Sequence, residues 1–405
     1  MTQGIFEGIR VFEVGLYIAT PLPGRILASQ GAEVIRAVTT KAVDASWYGG
    51  PQPIGSVVPD LEAGKRHIAL NMRHPEGQRV AKELIKKSDV FITNLTGEAL
   101  GRFDLSPEAV RAVKPDIIML WQPGFEVHGP YKDYKAFGGM LVSLVGLAEV
   151  TGFSDGAPMA SGTAFCDYHS AVYAVLLITG ALQRHRRTGK GTFIQLPLYE
   201  AGVPCLGVNV LDYFANHRIA HRMGNRHPLA SPHGAYPCQG DDRWCVIACF
   251  TDKDWRGFCD AIGNPEWTRD SRFHTLADRI KNADDLDLLV AEWTRQQKAE
   301  EVMELMQRIE VPAGYVFKGE DLVENVHLRE RNYWQETMYP VLPFGPDAGY
   351  AGPMSTFPIP MKFSETPSQF GSTGRIPEDN DYVYGELLKM PPEEIRKLTD
   401  EGVFV

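Results

Sequence analysis

Through the first two hundred residues, short apolar runs bounded by turn residues alternate with longer stretches of mixed polarity. Gly8-Ile9-Arg10-Val11-Phe12-Glu13-Val14 reads as a strand, Pro21 to Ser29 as a helix, and Gly31 to Arg36 as a turn leading into a second strand. This is a β-α-β unit with Gly31 as the helix stop. A helix then opens at Pro75-Glu76-Gly77 and runs to about Lys87, a strand covers Asp89 to Leu95, Ser106 and Pro107 start another helix, and Asp116 to Trp121 forms a buried strand. Strands separated by helices of this length predict a parallel sheet covered on both faces. Ligands of such sheets bind beyond the carboxyl ends of the strands, here the turns near Tyr17, Asn94 and Gln122. The first turn, Gly15 to Pro21, lacks the G-x-G-x-x-G spacing, so a nicotinamide dinucleotide is not expected there.

Ala171 to Leu182 is the most apolar helical run, closed by Gln183-Arg184-His185-Arg186-Arg187-Thr188-Gly189. A strand over Thr192 to Leu196 and a helix from about Tyr199 to Asn216 follow, and then a His-, Arg-, Pro- and Gly-rich stretch from His217 to Gly234 reads as a linker. Beyond it, Trp244 to Cys249 is a short strand, and charged helices cover Asp252 to Ile262, Asp284 to Ala299 and Ala299 to Ile309. The expected architecture is therefore α/β: a Rossmann-like large domain over 1–216, completed by about 330–405, and a smaller α+β domain over 225–325. The Pro-, Gly- and Phe-dense tail from Tyr333 to Gly374 is expected to wrap over another surface.

Composition narrows the class. The chain has 405 residues, 44% apolar and 23% charged, which suits an ordinary globular protein of two domains. A net charge of −10 argues against nucleic acid as a partner. The Ala171–Leu182 run is shorter than the roughly 20 residues of a membrane span, and the N-terminus has no basic-then-apolar signal, so a cytoplasmic location is expected. Cys166, Cys205, Cys238, Cys245, Cys249 and Cys259 have no paired C-x-x-C spacing, and they read as reduced core residues, not metal ligands.

The candidate chemistry centres on Asp167. It lies within a residue or so of the N-cap of the apolar helix, where the helix dipole favours an ionised carboxylate. The residues before it, Gly156 to Ala164, are mostly small and let a ligand approach the backbone. The helix behind it is too apolar for a surface element and gives the carboxylate a rigid support.

Seven blocks resemble, in order, the class III CoA-transferases, the family of formyl-CoA, carnitine and benzylsuccinate CoA-transferases. They are Gly8 to Val11, Gly31 to Arg36, Leu70-Asn71-Met72-Arg73-His74-Pro75-Glu76-Gly77, Asp89 to Leu95, Gly129-Pro130-Tyr131-Lys132-Asp133, the Asp167 stretch, and Thr188-Gly189-Lys190-Gly191. The chain resembles the α-methylacyl-CoA racemases more distantly. The resemblance implies an interlocked dimer, Asp167 as the nucleophile, and coenzyme A contacts at Tyr17, Ile18, Leu70, Arg73, Asn94, Leu95, Arg102, Phe103 and Lys135. Arg36, Arg73, Arg102 and Lys135 are candidates to face the phosphates of an ADP moiety. Three features differ from many relatives: Ile18 stands where they carry Gln, Val38-Thr39-Thr40 where they carry a further basic residue, and Phe137 where formyl-CoA transferase has a Tyr. The glycine-rich lid of some members corresponds here to Ala230-Ser231-Pro232-His233-Gly234.

No tightly bound cofactor is implied. The expected substrates are an acyl-CoA, with succinyl-CoA as a donor suggested by relatives, and a free aromatic or dicarboxylic acid such as benzylsuccinate, activated through an aspartyl mixed anhydride and an aspartyl-CoA thioester. Backbone amides at the start of the Asp167 helix are expected to stabilise the oxyanion. The aromatic residues Tyr17, Trp47, Tyr48, Phe137 and Tyr168 are expected near the site. Three alternatives stand beside this reading. A racemase needs a second acid or base, for which His128 and His169 are poorly placed. A thiol enzyme would use Cys166 with His169. A partner subunit of a heteromer, in place of a homodimer, would carry the fold without turnover.

Overall fold

Proline and capping signals place the helices, and alternating burial builds the sheet between them. In the computed structural model, which describes residues 4–38, 61–340, 350–356, 359–369, 371–374 and 376–405, the chain divides into two compact units. The first is Met1–Leu147, Ala160–His217 and Glu330–Val405, and the second is Ala148–Met159 and Arg218–Arg329. The expected large domain took in all of 1–216, whereas Ala148–Met159 packs with the second unit. Trp47, Tyr48, Thr39 and Thr40 lie outside the described residues.

The first unit holds a six-stranded parallel sheet in the order β3-β2-β1-β4-β5-β6. Its strands are β1 (Arg10–Val14), β2 (Glu33–Val38), β3 (Arg66–Ala69), β4 (Val90–Thr93), β5 (Ile118–Trp121) and β6 (Thr192–Gln195). Strand order reverses between β1 and β4, and loops diverging there open the crevice used by ligands of doubly wound sheets. The helices used below are α1 (Pro21–Ser29), α2 (Pro75–Lys87), α3 (Gly97–Arg102), α4 (Pro107–Val113), α5 (Gly138–Leu144), α6 (Phe165–Thr188), α7 (Leu198–Gly202) and α8 (Gly207–Asn216). Helices α1 and α2 run over the expected residues, and the Ser106 hydroxyl caps α4 by accepting from the Ala109 amide. Strand β3 and helix α3 were not anticipated. The helix expected from Tyr199 to Asn216 is broken into α7, a 3-10 turn over Val203–Leu206 and α8, because Pro204 cannot continue a helix interior.

Successive side chains of a strand point to opposite faces, so the sheet buries two layers. On one face Val11, Val34, Val90, Ile92, Ile118 and Leu120 pack under α1 and α6. On the other, Phe12, Ile35, Ile68, Phe91 and Met119 pack with α2 and the C-terminal residues Tyr384, Leu398 and Phe404. The tail does not simply wrap: Gln335–Pro340 and Tyr350–Thr356 form an antiparallel pair, and the Gln369 amide donates to the Ser29 carbonyl at the end of α1.

At 24 residues, α6 is twice the length of the apolar run that predicted it and is long and apolar enough to cross a membrane by length and composition. Ala174, Ile178, Ala181 and Leu182 are nevertheless spent on the sheet. The expectation that it is too apolar for the surface holds on that side only, since Val172 and Leu176 are about two-thirds exposed.

The second unit is α+β, with an antiparallel sheet of His233–Pro237, Trp244–Ala248 and Ala313–Tyr315. Cys238, Cys245, Cys249 and Cys259 lie in its core beside Trp255, Phe258 and Phe273. Part of the expected linker is built into this unit: the Ser231 amide donates to the Cys249 carbonyl, and the Cys249 amide to that of Pro232. The run matching the relatives' lid is therefore packed structure.

Candidate active site

Asp167 sits about two residues deeper in its helix than the sequence suggests. The N-cap of α6 is Ala164, which offers no side-chain cap, and Asp167 is the third helical residue, its amide donating to the Ala164 carbonyl at 2.9 Å. The residue is 7% exposed. Its carboxylate lies against Gly138, the first residue of α5: a β-carbon on Gly138 would stand 2.0 Å from Asp167 Oδ2 and 2.4 Å from the Ala164 β-carbon. Burial outweighs the backbone hydrogen bonding that favours the anion and pushes the carboxyl up to about 6. Burial thus overrides the direction the helix dipole favours: Asp167 titrates near 6 and is mostly ionised at neutral pH. Behind it, the Ser170 hydroxyl donates to the Asp167 carbonyl at 3.0 Å, and Gln122 Nε2 donates to Ser170 Oγ at 3.4 Å.

The amides expected to form an oxyanion hole are largely engaged. Phe165 N–H donates to the Thr163 carbonyl, and those of Asp167 and Tyr168 to Ala164. The thiol alternative meets the opposite of what it needs, because burial, with Asp167 beside it, pushes the Cys166 thiol up to about 11. His169 lies two residues along the helix, about 200° round from Asp167, between the rings of Phe165 and Tyr173, so it does not supply the second acid or base of a racemase.

The loops beyond β1 and β4 meet at the switch point. Asn94 Oδ1 accepts from the Leu16 amide and Asn94 Nδ2 donates to the Leu16 carbonyl, each at 2.8 Å. Tyr17 follows with φ 56°, a left-handed conformation that costs a side-chain-bearing residue roughly 1–2 kcal/mol. The Tyr17 ring meets Phe137 edge-on, with centroids 5.7 Å apart, and Phe137 immediately precedes Gly138. The switch-point loops and Asp167 are in this way joined through one aromatic pair.

The other expected contacts separate into groups. Arg73, Arg102 and Lys135 are exposed; Arg102 pairs with Glu98 one turn away, while Arg73 and Lys135 have no ionic partner among the described residues. Ile18, Leu95 and Phe103 are half-buried, and the Leu95 carbonyl accepts from Trp121 Nε1 at 2.7 Å. The Leu70 side chain is in the core, so only its backbone could meet a ligand.

Arg36 leaves the set altogether. It is 2% exposed and lies 3.1 Å from Glu13 and 3.3 Å from Glu62. Lys65 Nζ stands 2.9 Å from Glu13 and 3.4 Å from Glu62, and His67 Nε2 is 3.2 Å from Glu62. This wholly buried cluster spends the Arg36 charge inside the protein. Burial raises the Glu13 carboxyl despite Lys65 and Arg36. At Glu62 burial acts the same way, but Arg36 and Lys65 outweigh it and hold the group low. The sequence did carry a signal: Glu13 and Arg36 sit inside runs that read as strands of a sheet buried on both faces.

Among the described residues no group of three or more His, Cys, Asp or Glu could hold a metal. What the site offers is one buried carboxylate, titrating near 6, on a rigid helix beside the crevice of a doubly wound sheet.

Comparison with known proteins gives the family. Residues 6–378 match the family model CoA-transferase family III, and the chain belongs to this family of enzymes. It is 29% identical to the succinyl-CoA–D-citramalate CoA-transferase of Chloroflexus aurantiacus, over 98% of this chain and 97% of that one. It is 30% identical to the beta subunit of succinyl-CoA–L-malate CoA-transferase from the same organism, with the same coverage. A CAIB/BAIF family protein from Brucella suis has the same fold, with a TM-score of 0.86 and 26% identity over 95% of this chain and all of the other.

Proposed function

We propose that this CoA-transferase moves CoA from succinyl-CoA to a free dicarboxylic acid through covalent intermediates on Asp167. The observation that carries the reading is the Asp167 carboxylate itself, buried against Gly138 and pushed up to about 6, yet still mostly ionised at neutral pH. The choice of donor and of acceptor class leans on the two succinyl-CoA relatives, named for acting on D-citramalate and L-malate. An aromatic acid such as benzylsuccinate is the second reading, favoured by the exposed rings of Tyr17 and Phe137.

In the first step an Asp167 oxygen attacks the thioester carbonyl carbon, the C–S bond breaks, and CoA leaves as the thiolate, giving a mixed anhydride. The thiolate then attacks the Asp167 carbonyl carbon and releases the donor acid as its carboxylate, leaving an aspartyl-CoA thioester. The acceptor carboxylate attacks that thioester and expels CoA thiolate again, which finally takes the acceptor acyl group and frees Asp167. A weak nucleophile suffices if binding holds it against the carbonyl. Arg73, Lys135 and Arg102 are the exposed cations available to the CoA phosphates, and Ile18, Leu95 and Phe103 the apolar contacts.

The working unit is a dimer, either of this chain or with a related subunit. In its favour, Val172 and Leu176 of α6 and Val208, Leu211 and Phe214 of α8 are exposed apolar residues of the kind a second subunit covers. The chemistry is tested by intact-protein mass spectrometry after mixing with succinyl-CoA. An adduct that maps to Asp167, is removed by hydroxylamine and is lost in Asp167→Ala is expected; transfer by Asp167→Ala at the wild-type rate would refute the mechanism.

A further inference from the structure

We propose that Asn94 is a positioning residue, whose carboxamide holds the first turn so that Tyr17 and Phe137 form an apolar wall beside the Asp167 carboxylate. This rests on Asp167 being the group that is acylated. The family resemblance implies a coenzyme A contact at Asn94; its carboxamide, engaged by Leu16 at both polar atoms, acts through the turn.

The argument begins with what only a carboxamide can do. Asn94 accepts from the amide of Leu16 and donates to the carbonyl of the same residue, both at 2.8 Å and across 78 residues of sequence. Asp would lose the donor and Leu both groups. The turn is built around this clamp. Gly15 has no room for a β-carbon, which would stand 2.5 Å from Asn94 Oδ1 and 2.5 Å from Thr20 Oγ1. The next residue but one, Tyr17, is held at φ 56°. A left-handed tyrosine persists only where its surroundings over-determine it, and the clamp on the preceding residue supplies that constraint.

From Tyr17 the constraint passes to the site. Its ring packs edge-on against Phe137 at 5.7 Å and 87°. The Phe137 carbonyl accepts the first hydrogen bond of α5, from the Leu141 amide at 3.0 Å, so the backbone at Phe137 also fixes where Gly138 meets Asp167 Oδ2. A wall that keeps water from the carboxylate preserves its reactivity towards a thioester. If the turn relaxes, water reaches the carboxylate and its titration falls back towards the ordinary range.

The test uses the full-length enzyme with succinyl-CoA and compares Asn94→Ala, Tyr17→Ala and Phe137→Ala, singly and in pairs. Asn94→Ala is expected to lower kcat at least about tenfold while KM for succinyl-CoA stays within about threefold. The pH midpoint of Asp167 acylation is expected to move down. Asn94→Ala combined with Tyr17→Ala is expected to be no worse than the more damaging single change, because both break one relay. A rise in KM with kcat retained would make Asn94 a ligand contact and overturn the proposal, as would fully additive losses. If Asn94→Ala does not fold by circular dichroism, the pair of exposed residues Tyr17 and Phe137 decides, and additivity between them overturns the relay. Wild-type acylation at Asp167, read by mass in the same samples, reports separately on the underlying mechanism.

Discussion

Gly138 leaves the space that Asp167 fills: no side chain can stand at residue 138 without displacing Oδ2, which an added β-carbon would meet at 2.0 Å. Gly138→Ala is therefore expected to lower kcat by about a hundredfold and to destabilise the fold by roughly 1–3 kcal/mol through overpacking. Steady-state kinetics with urea unfolding of the same sample checks both; an unchanged kcat would mean the carboxylate is not held where it reacts.

Asp167 costs the fold stability at neutral pH. Its carboxyl is raised from 3.8 to about 6 by burial, so the native state holds this proton more tightly than the unfolded chain. The favourable contribution is complete below about 3.8 and is lost as pH rises through 6, and above that the ionised group costs roughly 2–3 kcal/mol. Asp167→Asn is expected to raise the thermal midpoint at pH 7.5 and to leave it unchanged near pH 4, while abolishing transfer. Calorimetry at the two pH values decides, and an equal shift at both would sever the link to ionisation.

The same shift sets an activity profile. In the proposed mechanism acylation needs the anion, so kcat/KM for the acyl-CoA donor is expected to rise with pH to a plateau, with its acid limb centred near 6. A limb centred near 4 in single-turnover measurements would show that the carboxylate is solvated in solution.

Arg36 and the exposed cations should fail differently. Arg36→Met and Lys65→Met each leave buried carboxylates short of a partner and are expected to cost about 3–5 kcal/mol in denaturant unfolding. Arg73→Ala and Lys135→Ala are expected to leave stability within about 0.5 kcal/mol and to raise KM for the CoA donor, the more so at low salt. A folded Arg36→Met protein impaired only in KM would return that residue to the ligand.

Local signals read well from the residues. Pro21 and Pro75 start their helices where expected, Gly189 ends α6 in a left-handed conformation, and the run of small residues before an apolar helix singled out Asp167. What stayed hidden depends on distant parts of the chain. The depth of Asp167 comes from Gly138, 29 residues earlier, and the fate of Arg36 from Glu62 and Lys65, which lie beyond the end of its strand. Asn94 reads as a polar turn residue beside a binding crevice, and nothing in its neighbours announces that both its polar atoms are taken by Leu16. Pro204 was visible, but the helical pattern around it hid its effect.

The buried cluster also bears on how the sheet assembles. Glu13, Arg36 and His67 are register partners on three neighbouring strands, alternating along the chain with Phe12, Ile35 and Ile68 on the opposite face. Sliding any one of these strands by a single residue would turn its ionic side chain into the oily layer under α2 and leave the remaining charges facing hydrocarbon. The cluster thus acts as a key for strand alignment, so that only one pairing of these three strands can close around the ligand crevice.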